Sequence, residues 1–201
     1  MRIVNSTLEK DLSEHRTIKL ELGSGQRKRD GFYSLDHIEM DGIDIVADLN
    51  KPLSLLPDNC IEYLYTRHVL EHINEFLPLM REIHRVTKPG GTIEIIVPHF
   101  SNVYGFSDPT HVRFFGLYTM NYFVAHENQP RRHVPAFYTD TRFKIKSLKI
   151  DFYRASLLDR LLSPVFSKLV NHSIHTQDFY ERRLAHFFHA WQIRYILTPE
   201  K

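Results

Sequence analysis

Two groups of histidine and carboxylate side chains in this sequence have types and spacing that could support chemistry. The first is His68-Val69-Leu70-Glu71-His72, which has the H-x-x-E-H spacing of a zinc-hydrolase motif. In that motif, two histidines on one helix face bind the ion and the glutamate acts as a base. One hypothesis is therefore a zinc hydrolase that uses His68, Glu71 and His72.

The second group contains His99 and Ser101, followed along the chain by Asp108 and His111. Histidine changes its protonation state at about pH 7, so it can take a proton from an oxygen or nitrogen that reacts. His99 and His111 are therefore candidate catalytic bases. In the simpler interpretation, His99 only ends a strand and His111 only orders its loop by a hydrogen bond to Asp108.

A glycine turn follows the first predicted strand. Residues 18–22 have the apolar pattern of a buried strand that carries Glu21 and continues into Gly23-Ser24-Gly25. Glycine allows a tight turn and lets the backbone approach a ligand where a Cβ would clash. In α/β sheets, nucleotide-like cofactors bind after the first strand. The turn therefore predicts a site for a nucleoside-containing cofactor.

The elements around these residues predict the fold class. Strand patterns alternate with connections in the first half, and residues 69–87 have helical spacing of apolar residues. We therefore predict an α/β fold with a doubly wound, mostly parallel, seven-stranded sheet and an antiparallel hairpin at its C-terminal edge. A second helix is expected over residues 108–122. The predicted strands are 18–22, 32–36, 43–49, 61–65, 92–98, 143–152 and 190–197.

Length, charge and cysteine content limit the class of protein. The chain has 201 residues and a net charge of +2, so we expect one domain over residues 1–201 and no nucleic-acid partner. The single cysteine, Cys60, excludes an internal disulfide and fits a reducing compartment. Because the sequence has neither a secretory signal nor an apolar run of membrane-spanning length, we expect a cytoplasmic protein without a membrane span.

Two segments of the second half could contact partners. A helical insertion is expected near residues 154–185, with an apolar stripe over 157–170 and a kink at Pro164. That stripe either packs on the core, forms a homodimer, or serves as a lid or a membrane-surface element. Arg131, Arg132 and His133 form a basic loop, which is either solvated or binds an anionic group of a substrate.

The order of the motifs along residues 17–100 is similar to that of a known protein family. The acidic glycine turn at 21–25 is followed by Asp36, by Ala47-Asp48-Leu49, by the histidine motif at 68–73, and by a helix pattern at 79–87 with Lys-Pro-Gly-Gly after it. In this order the sequence resembles the class I S-adenosylmethionine-dependent methyltransferases, and their type 11 branch most closely. The resemblance implies a Rossmann-like fold and S-adenosyl-L-methionine as the cofactor.

The resemblance also implies roles for single residues near the first strand. Gly23, Ser24 and Gly25 would lie against the methionyl and ribose parts of the cofactor. Glu21 would help to hold its amino group, since an ammonium group needs a carboxylate partner. Asp36 would bind the ribose hydroxyls, since one carboxylate can accept two hydrogen bonds from a diol.

Further along the chain, Asp48 and the backbone of Leu49 would lie near the adenine amine, and His68 would border the methionyl end. No metal site is implied. The sequence departs from the family pattern in two respects. The family turn often has a third glycine, and here that place is Gln26 or Arg27. Also, only about 13 positions separate Gly23 from Asp36, against about 20 in the dinucleotide fingerprint. The first crossover helix must therefore be very short or absent.

The function implied by the resemblance is methyl transfer to an oxygen or nitrogen of a small-molecule acceptor. His99 or His111 would take the proton of the acceptor, and a sugar or polysaccharide precursor is the first acceptor to consider. Two alternatives remain. One is a non-catalytic protein that keeps the fold and binds the cofactor. The other is the zinc hydrolase, although its motif lies at a strand-to-helix junction and not within a long helix.

Overall fold

Eight strands form one mixed sheet in the computed structural model of this chain, which describes residues 1–130 and 132–201. Their order across the sheet is β1-β4-β3-β2-β5-β6-β8-β7. The strands are β1 (Arg2–Ile3), β2 (Ile18–Leu22), β3 (Tyr33–Asp36), β4 (Ile45–Val46), β5 (Ile61–Arg67), β6 (Thr87–Pro98), β7 (Phe143–Phe152) and β8 (Ala190–Pro199).

The sheet has the predicted arrangement with one strand more than expected. Its centre, from β4 through β3, β2 and β5 to β6, is parallel. The hairpin of β7 and β8 is antiparallel and joins the sheet through β6. The additional strand is β1, which has two residues and pairs antiparallel with β4 at the opposite edge. A strand so short leaves no alternating pattern in the sequence, so the prediction of seven strands was wrong by one.

Four α-helices accompany the sheet among the described residues. The apolar face of α2 buries Met80 and Ile83, which belong to the same hydrophobic cluster as Leu64 of β5 and Ile95 of β6. This cluster forms the core on one face of the sheet. The helices are α1 (Ser6–Ser13), α2 (Phe76–Val86), α3 (Leu157–Val170) and α4 (Ile174–Arg183).

The helix predicted over residues 69–87 is divided in the structure. A 3₁₀ turn covers Leu70–His72, and α2 begins only at Phe76. Proline has no amide hydrogen, and its ring clashes inside a helix, so Pro78 is accommodated only in the first turn. The Asn50 side chain accepts hydrogen bonds from the amides of Asn74 and Glu75, at 2.9 and 3.1 Å, just before this start. Pro78 and Asn50 together explain the later start of α2.

The helix predicted over residues 108–122 is wrong. The segment makes hydrogen bonds to other parts of the chain: the Val112 amide donates to the Glu71 carbonyl at 2.9 Å, and the Phe100 amide donates to the Phe115 carbonyl at 2.8 Å. Only a 3₁₀ turn over Thr119–Phe123 is helical. Because backbone groups that bond to distant segments cannot also form a helix ladder, the segment is held as an irregular strap.

Strand bounds near the site also differ from prediction in two places. The strand expected over residues 43–49 is reduced to Ile45–Val46, since β4 pairs over two residues only with each neighbour. The strand expected over 92–98 begins at Thr87, so Lys-Pro-Gly-Gly lies within β6 and does not cap the helix. Thr87 already has extended backbone angles, which end α2 one residue earlier.

The connection from β2 to β3 confirms the expectation of a very short or absent crossover helix. Residues 23–32, all of them described, contain turns and no helix. This loop packs on the polar face of the sheet, where the Arg29 guanidinium lies 4.2 Å from the centre of the Tyr65 ring. Glu21, Tyr65 and Glu94 are register partners there on β2, β5 and β6.

The apolar stripe of α3 is largely exposed. Phe166 packs against Phe152 and Tyr180, and Val170 is buried, so these residues attach α3 to the core. The other apolar side chains of the stripe are each more than half exposed, so packing of α3 on the core does not explain why they are apolar. None of the described helices is long and apolar enough to cross a membrane. The exposed residues are Leu157, Leu158, Leu161, Leu162, Val165 and Leu169.

Candidate functional site

The carboxyl ends of the parallel strands meet at one edge of the sheet. Gly23 follows β2, Asp36 ends β3, His68 follows β5, and His99 follows β6. In open α/β sheets, ligands bind in the crevice beyond these ends. The sheet therefore brings several predicted site residues to one edge, although they are far apart in sequence.

The glycine turn is tightly packed at this edge. Gly23 has φ 66° and Gly25 has φ 57°, which is the left-handed region that glycine tolerates best. A Cβ placed on Gly23 would lie 2.2 Å from Cγ2 of Val69, so only glycine fits against the segment after β5. The Gly23 amide donates to the Leu35 carbonyl at 2.7 Å. The turn thus joins β2, β3 and the segment after β5.

Asp36 holds the same turn from the neighbouring strand. Its Oδ2 accepts the Gly25 amide at 2.9 Å, and its Oδ1 accepts the Ile38 amide at 3.2 Å. Nδ1 of His37 lies 3.0 Å from Oδ1. The buried carboxylate therefore orders the turn through backbone donors. Its predicted contact with ribose hydroxyls stays a prediction, and the lone pairs left on each oxygen are compatible with it.

Glu21 is the buried acid of the first strand. Its Oε2 accepts the Arg29 amide at 2.8 Å, and it lines a polar cleft of about 510 Å³ with Arg67 and Tyr65. Burial raises the pKa of Glu21 above its ordinary value of 4.5, although the Arg29 amide and charge oppose the shift. A buried carboxylate next to a cleft is suited to a cationic group of a ligand.

We expect cofactor affinity to depend on the ionisation of Glu21. The ammonium group needs the ionised carboxylate, so affinity for S-adenosylhomocysteine should fall as pH decreases through the raised pKa of Glu21, earlier than for an ordinary glutamate. Glu21→Gln should weaken binding about 10- to 100-fold at neutral pH, because a charge-assisted hydrogen bond is lost. Calorimetric titrations over a pH series measure both effects.

The matched control for Glu21 is Glu62→Gln, which removes a carboxylate near the start of β5, away from the site edge. It should bind like the parental protein and keep the pH dependence. The effect of pH on stability has the opposite sign. The folded protein holds the Glu21 proton more tightly than the unfolded chain does, so protonation of Glu21 stabilises the fold. This stabilisation is present below pH 4.5 and is lost as pH rises through the raised pKa.

Asp48 and Leu49 follow β4 in the loop at the same edge. Asp48 is partly exposed, and its Oδ1 accepts the Asn50 amide at 2.9 Å and the Asn50 side chain at 3.1 Å. These hydrogen bonds lower the pKa of Asp48, so it stays ionised at neutral pH. The Leu49 side chain is buried. An ionised, accessible carboxylate is compatible with the predicted adenine contact, which remains a prediction.

Besides the carboxylate oxygens of Glu71, three buried polar atoms at this edge have no hydrogen-bond partner among the described residues. They are Ser24 Oγ in the glycine turn, Thr66 Oγ1 near the end of β5, and Nε2 of His68. Buried polar atoms are normally hydrogen-bonded, so unpaired ones mark places where a ligand can supply the partner. Together with the two left-handed glycines and the buried Glu21, they fit a polar cofactor such as S-adenosylmethionine.

His99 lies in a different environment from the one expected of a general base. Its side chain is fully buried. Nδ1 accepts the Ser101 amide at 3.1 Å, so the ring proton is on Nε2, which lies 3.0 Å from Oε1 of Glu181 in α4. Both nitrogens are therefore used inside the protein. This geometry favours a structural link between the end of β6 and α4, and the catalytic role of His99 stays an untested prediction.

His111 lies beside His72 at the entrance of the site. The two rings are in T-shaped contact with centres 4.7 Å apart. Thr110 Oγ1 bonds to His72 Nδ1 at 2.8 Å and to Asp108 Oδ1 at 2.6 Å. The expected ordering of the loop by Asp108 thus runs mainly through Thr110, since Asp108 Oδ2 lies 3.7 Å from His111. Sequence reasoning missed Thr110, although its place in Asp-Pro-Thr-His was a usable signal.

The zinc-hydrolase motif does not form as the sequence suggested. That motif needs His68 and His72 on one face of a continuous helix. Here His68 has φ 54°, and only Leu70–His72 form a 3₁₀ turn. The cluster of metal-binding side chains among the described residues consists of Glu71, His72 and His111, without His68.

Aromatic side chains divide between the core and the site edge. Phe115 is fully buried, whereas Tyr104, Phe106 and Phe114 are at least half exposed. Phe106 and Phe114 stack with ring centres 4.6 Å apart.

In the basic loop that the sequence predicts over Arg131, Arg132 and His133, Arg131 lies outside the described residues.

Three comparisons place this geometry among known proteins. The family model that describes a methyltransferase domain of type 11 matches residues 20–95. This match spans β2 to β6, and so it contains the glycine turn, the edge carboxylates and the histidine motif. No curated protein is similar enough in sequence to count as a relative.

Solved structures share the fold over nearly the whole chain. A SAM-dependent methyltransferase from Archaeoglobus fulgidus aligns with a TM-score of 0.56 at 17% identity, covering 96% of this chain and 93% of that one. A SAM-dependent methyltransferase from Mesorhizobium loti aligns with a TM-score of 0.52 at 14% identity, covering 96% and 95%. The cyclase SpnF aligns with a TM-score of 0.53 at 14% identity, covering 96% and 79%.

The structural likeness shows the fold, and the family match adds the domain type over the part of the chain that forms the site. The residues at the edge fit the cofactor of that family. The chain therefore has the fold of solved S-adenosylmethionine-dependent methyltransferases, and its residues 20–95 match the model of a type 11 methyltransferase domain, which together support S-adenosyl-L-methionine as the cofactor.

Proposed function

We propose that this protein transfers a methyl group from S-adenosylmethionine to an oxygen or nitrogen of a small-molecule acceptor. The observation that supports this most is the continuity between the glycine turn and the His72–His111 pair. Gly23 packs on Val69, the 3₁₀ turn over Leu70–His72 follows directly, and the Glu71 carbonyl accepts the Val112 amide. The residues that we propose to hold the cofactor are therefore joined by direct contacts to those that we propose to bind the acceptor.

When bound, the cofactor supplies a methyl group on a sulfonium, which is already a good leaving group. The contribution of the chain is then mainly alignment, which can supply several kcal/mol of the barrier (about 7–11 in the best cases). Residues at the edge orient the acceptor and exclude water. As the acceptor atom forms its bond to the methyl carbon, the bond from that carbon to sulfur would break and leave S-adenosylhomocysteine, and the acceptor proton would pass to a base, for which His111 is the candidate.

We propose a sugar hydroxyl as the acceptor group. The stacked, exposed rings of Phe106 and Phe114 support this choice. Phe106 directly follows Gly105, whose carbonyl contacts His111, and Phe114 lies three residues after His111. Sugar rings offer both an apolar face and hydroxyl groups, which suits aromatic walls with a few convergent polar groups. Arg132 lines a separate cleft of about 440 Å³ with Tyr118 and Asp178, so no role in acceptor binding is assigned to it.

Turnover on a substrate panel tests the proposal. Purified protein with S-adenosylmethionine should form S-adenosylhomocysteine only when an acceptor is present, and nucleotide sugars and oligosaccharides are the first compounds to try. The Phe106→Ala, Phe114→Ala double variant should raise KM for such an acceptor about tenfold or more, with kcat little changed, because it loses acceptor contacts. Phe137→Ala, at another exposed aromatic, is the control.

A non-catalytic cofactor-binding protein is the second candidate. SpnF has this fold and is a cyclase, so the fold alone does not fix the reaction. Binding of S-adenosylhomocysteine without turnover on a broad panel would favour this candidate. Absence of binding at high micromolar concentration would contradict both candidates.

We also propose that the protein is cytoplasmic and that it forms a homodimer through the exposed stripe of α3. Cys60 is a free, buried thiol, which fits a reducing compartment. Large exposed apolar patches commonly mark protein contacts. Size-exclusion chromatography with light scattering tests the dimer, and Leu161→Glu should convert it to a monomer if the stripe is the interface.

A further inference from the structure

Glu71 is a buried carboxylate without a hydrogen-bond partner. Its side chain is 1% exposed, and neither oxygen has a partner among the described residues. The closest nitrogen of an ionisable neighbour is Nδ1 of His68, 3.5 Å from Oε1, which is beyond a good hydrogen bond. Because burying an unpaired carboxylate is costly, such a group is normally paired with a cation or coordinated to a metal ion.

The hydrogen bonds of His72 orient it for metal binding. Thr110 Oγ1 has one proton, and its 2.6 Å contact with Asp108 Oδ1 shows where that proton goes, since a carboxylate accepts. Toward His72 the hydroxyl is therefore an acceptor, so His72 carries its proton on Nδ1 and donates at 2.8 Å. This leaves the lone pair of Nε2 free. Metal-binding histidines are typically oriented in this way, through the second ring nitrogen.

His111 has the same orientation by a different route. Its Nδ1 lies 2.9 Å from the carbonyl oxygen of Gly105, which can only accept, so Nδ1 carries the proton. In this tautomer Nε2 of His111 has the lone pair, and its nearest carboxylate oxygen, Asp108 Oδ2, lies 3.7 Å away, too far for a hydrogen bond. Two histidines on separate segments, close in space and with the same tautomer, are both in the form that binds a divalent ion.

The three side chains converge. One donor atom each from Glu71, His72 and His111 lies within 4.8 Å of the other two. Metal ions bind such atoms at about 2.0–2.2 Å, so small side-chain rotations would bring all three into contact with one ion. We propose that Glu71, His72 and His111 form a binding site for a divalent first-row transition metal ion next to the methyl-transfer site.

The donor set indicates the kind of ion. Two imidazoles with one carboxylate suit Zn²⁺, Fe²⁺ or Co²⁺, whereas Mg²⁺ prefers oxygen ligands. Three protein ligands leave coordination positions open, which is typical of catalytic and not of structural sites. When the ion is bound, His111 would serve as a metal ligand in place of the base role proposed above, and the proton of a metal-bound acceptor hydroxyl would pass to water.

The role of the ion rests on the proposed function. An open coordination position at the entrance of the site would bind the acceptor oxygen, orient it and lower the pKa of its hydroxyl. Metal binding itself, however, depends only on the three side chains and can be measured without any acceptor.

The first experiment measures metal binding by full-length protein after removal of bound metal with a chelator. Titration with Co²⁺ should give visible ligand-field absorption at one equivalent, and Zn²⁺ should displace it. His111→Ala and Glu71→Gln should weaken binding on the order of 100-fold or more, since even loss of an outer-shell partner costs about 10- to 100-fold. Thr110→Val, which removes only the orienting hydroxyl, should cost about 10- to 100-fold.

The control is His126→Ala. His126 stacks on His133 with ring centres 4.4 Å apart, so this pair is the alternative place for an ion to bind at a histidine cluster. The His126→Ala variant should leave Co²⁺ binding unchanged. Equal binding by the parental protein and His111→Ala, or loss of binding only in His126→Ala, would overturn the proposal. So would absence of stoichiometric binding by the parental protein.

Folding is monitored in the same variants. Glu71→Gln removes a buried unpaired charge, so its metal-free melting temperature should equal or exceed that of the parental protein, while the rise caused by Zn²⁺ should disappear. A metal-free Glu71→Gln protein that melts far below the parental protein would show that Glu71 has a structural partner, against the proposal. Turnover with and without the ion is measured separately. Stoichiometric binding with metal-independent turnover would support the site and contradict only its role at the acceptor.

Discussion

Replacing Gly23 with alanine should abolish measurable binding of S-adenosylhomocysteine. The new Cβ would lie 2.2 Å from Cγ2 of Val69, and Cγ1 and Cβ of the same side chain lie at 3.1 and 3.3 Å, so rotating Val69 still leaves tight contacts. The φ of 66° adds about 1–2 kcal/mol of backbone strain for a residue with a Cβ. The turn must therefore move away from the segment after β5. We expect a loss of affinity of at least about 100-fold, equivalent to about 2.7 kcal/mol, in calorimetric titrations.

The controls separate the clash from backbone strain. Gly31 has φ 76° with open space around its Cβ position, so Gly31→Ala should cost some stability and leave affinity close to parental. The double variant Gly23→Ala, Val69→Ala removes the methyl groups at 2.2 and 3.1 Å and should recover part of the affinity. Circular dichroism and melting curves establish that each variant is folded. Undiminished binding by a folded Gly23→Ala protein would show that the cofactor does not use this turn.

Replacing Glu181 with alanine should have the largest effect on stability. Oε1 of Glu181 accepts the Leu117 amide at 2.6 Å and faces Nε2 of the buried His99 at 3.0 Å. Alanine would leave both donors buried without a partner. Since each hydrogen bond to a charged group contributes about 1.5–3 kcal/mol, we expect the free energy of unfolding to fall by about 3–5 kcal/mol, measured by urea denaturation.

Glu181→Gln is the matched variant, because its amide oxygen can still accept both hydrogen bonds. It should lose only about 1 kcal/mol. This pair also tests His99. If His99 only links β6 to α4, Glu181→Gln should change kcat little. A Glu181→Gln protein of parental stability with strongly reduced kcat would instead favour His99 as the general base.

Local patterns predicted the elements whose backbone bonds are regular. The strand over residues 143–152 has the predicted bounds, and β2 has its predicted bounds as well. In both strands, the pattern of apolar and polar side chains follows which faces of the sheet are buried and which are exposed. The late start of α2 could also have been predicted, because Pro78 was visible in the sequence.

Other features could not be inferred from local patterns. The backbone of segment 108–122 bonds to other parts of the chain: the Val112 amide donates to the Glu71 carbonyl, and the Phe115 carbonyl accepts the Phe100 amide. The environments of His99 and His111 differ for the same reason. Both follow the carboxyl side of β6, yet α4 covers His99 and leaves His111 beside His72. Which histidine faces the site depends on contacts between residues far apart in the chain.

The sequence by itself determined the type of sheet and the place of the glycine turn, because these depend on short motifs with a local physical cause, and its resemblance to a known family indicated the kind of cofactor. The tertiary structure alone decided what surrounds each polar side chain. It buried His99 against Glu181, left Glu71 without a hydrogen-bond partner, and replaced His68 by His111 in the cluster around Glu71 and His72. Burial, pairing and convergence arise from packing between distant segments, and no local pattern encodes them.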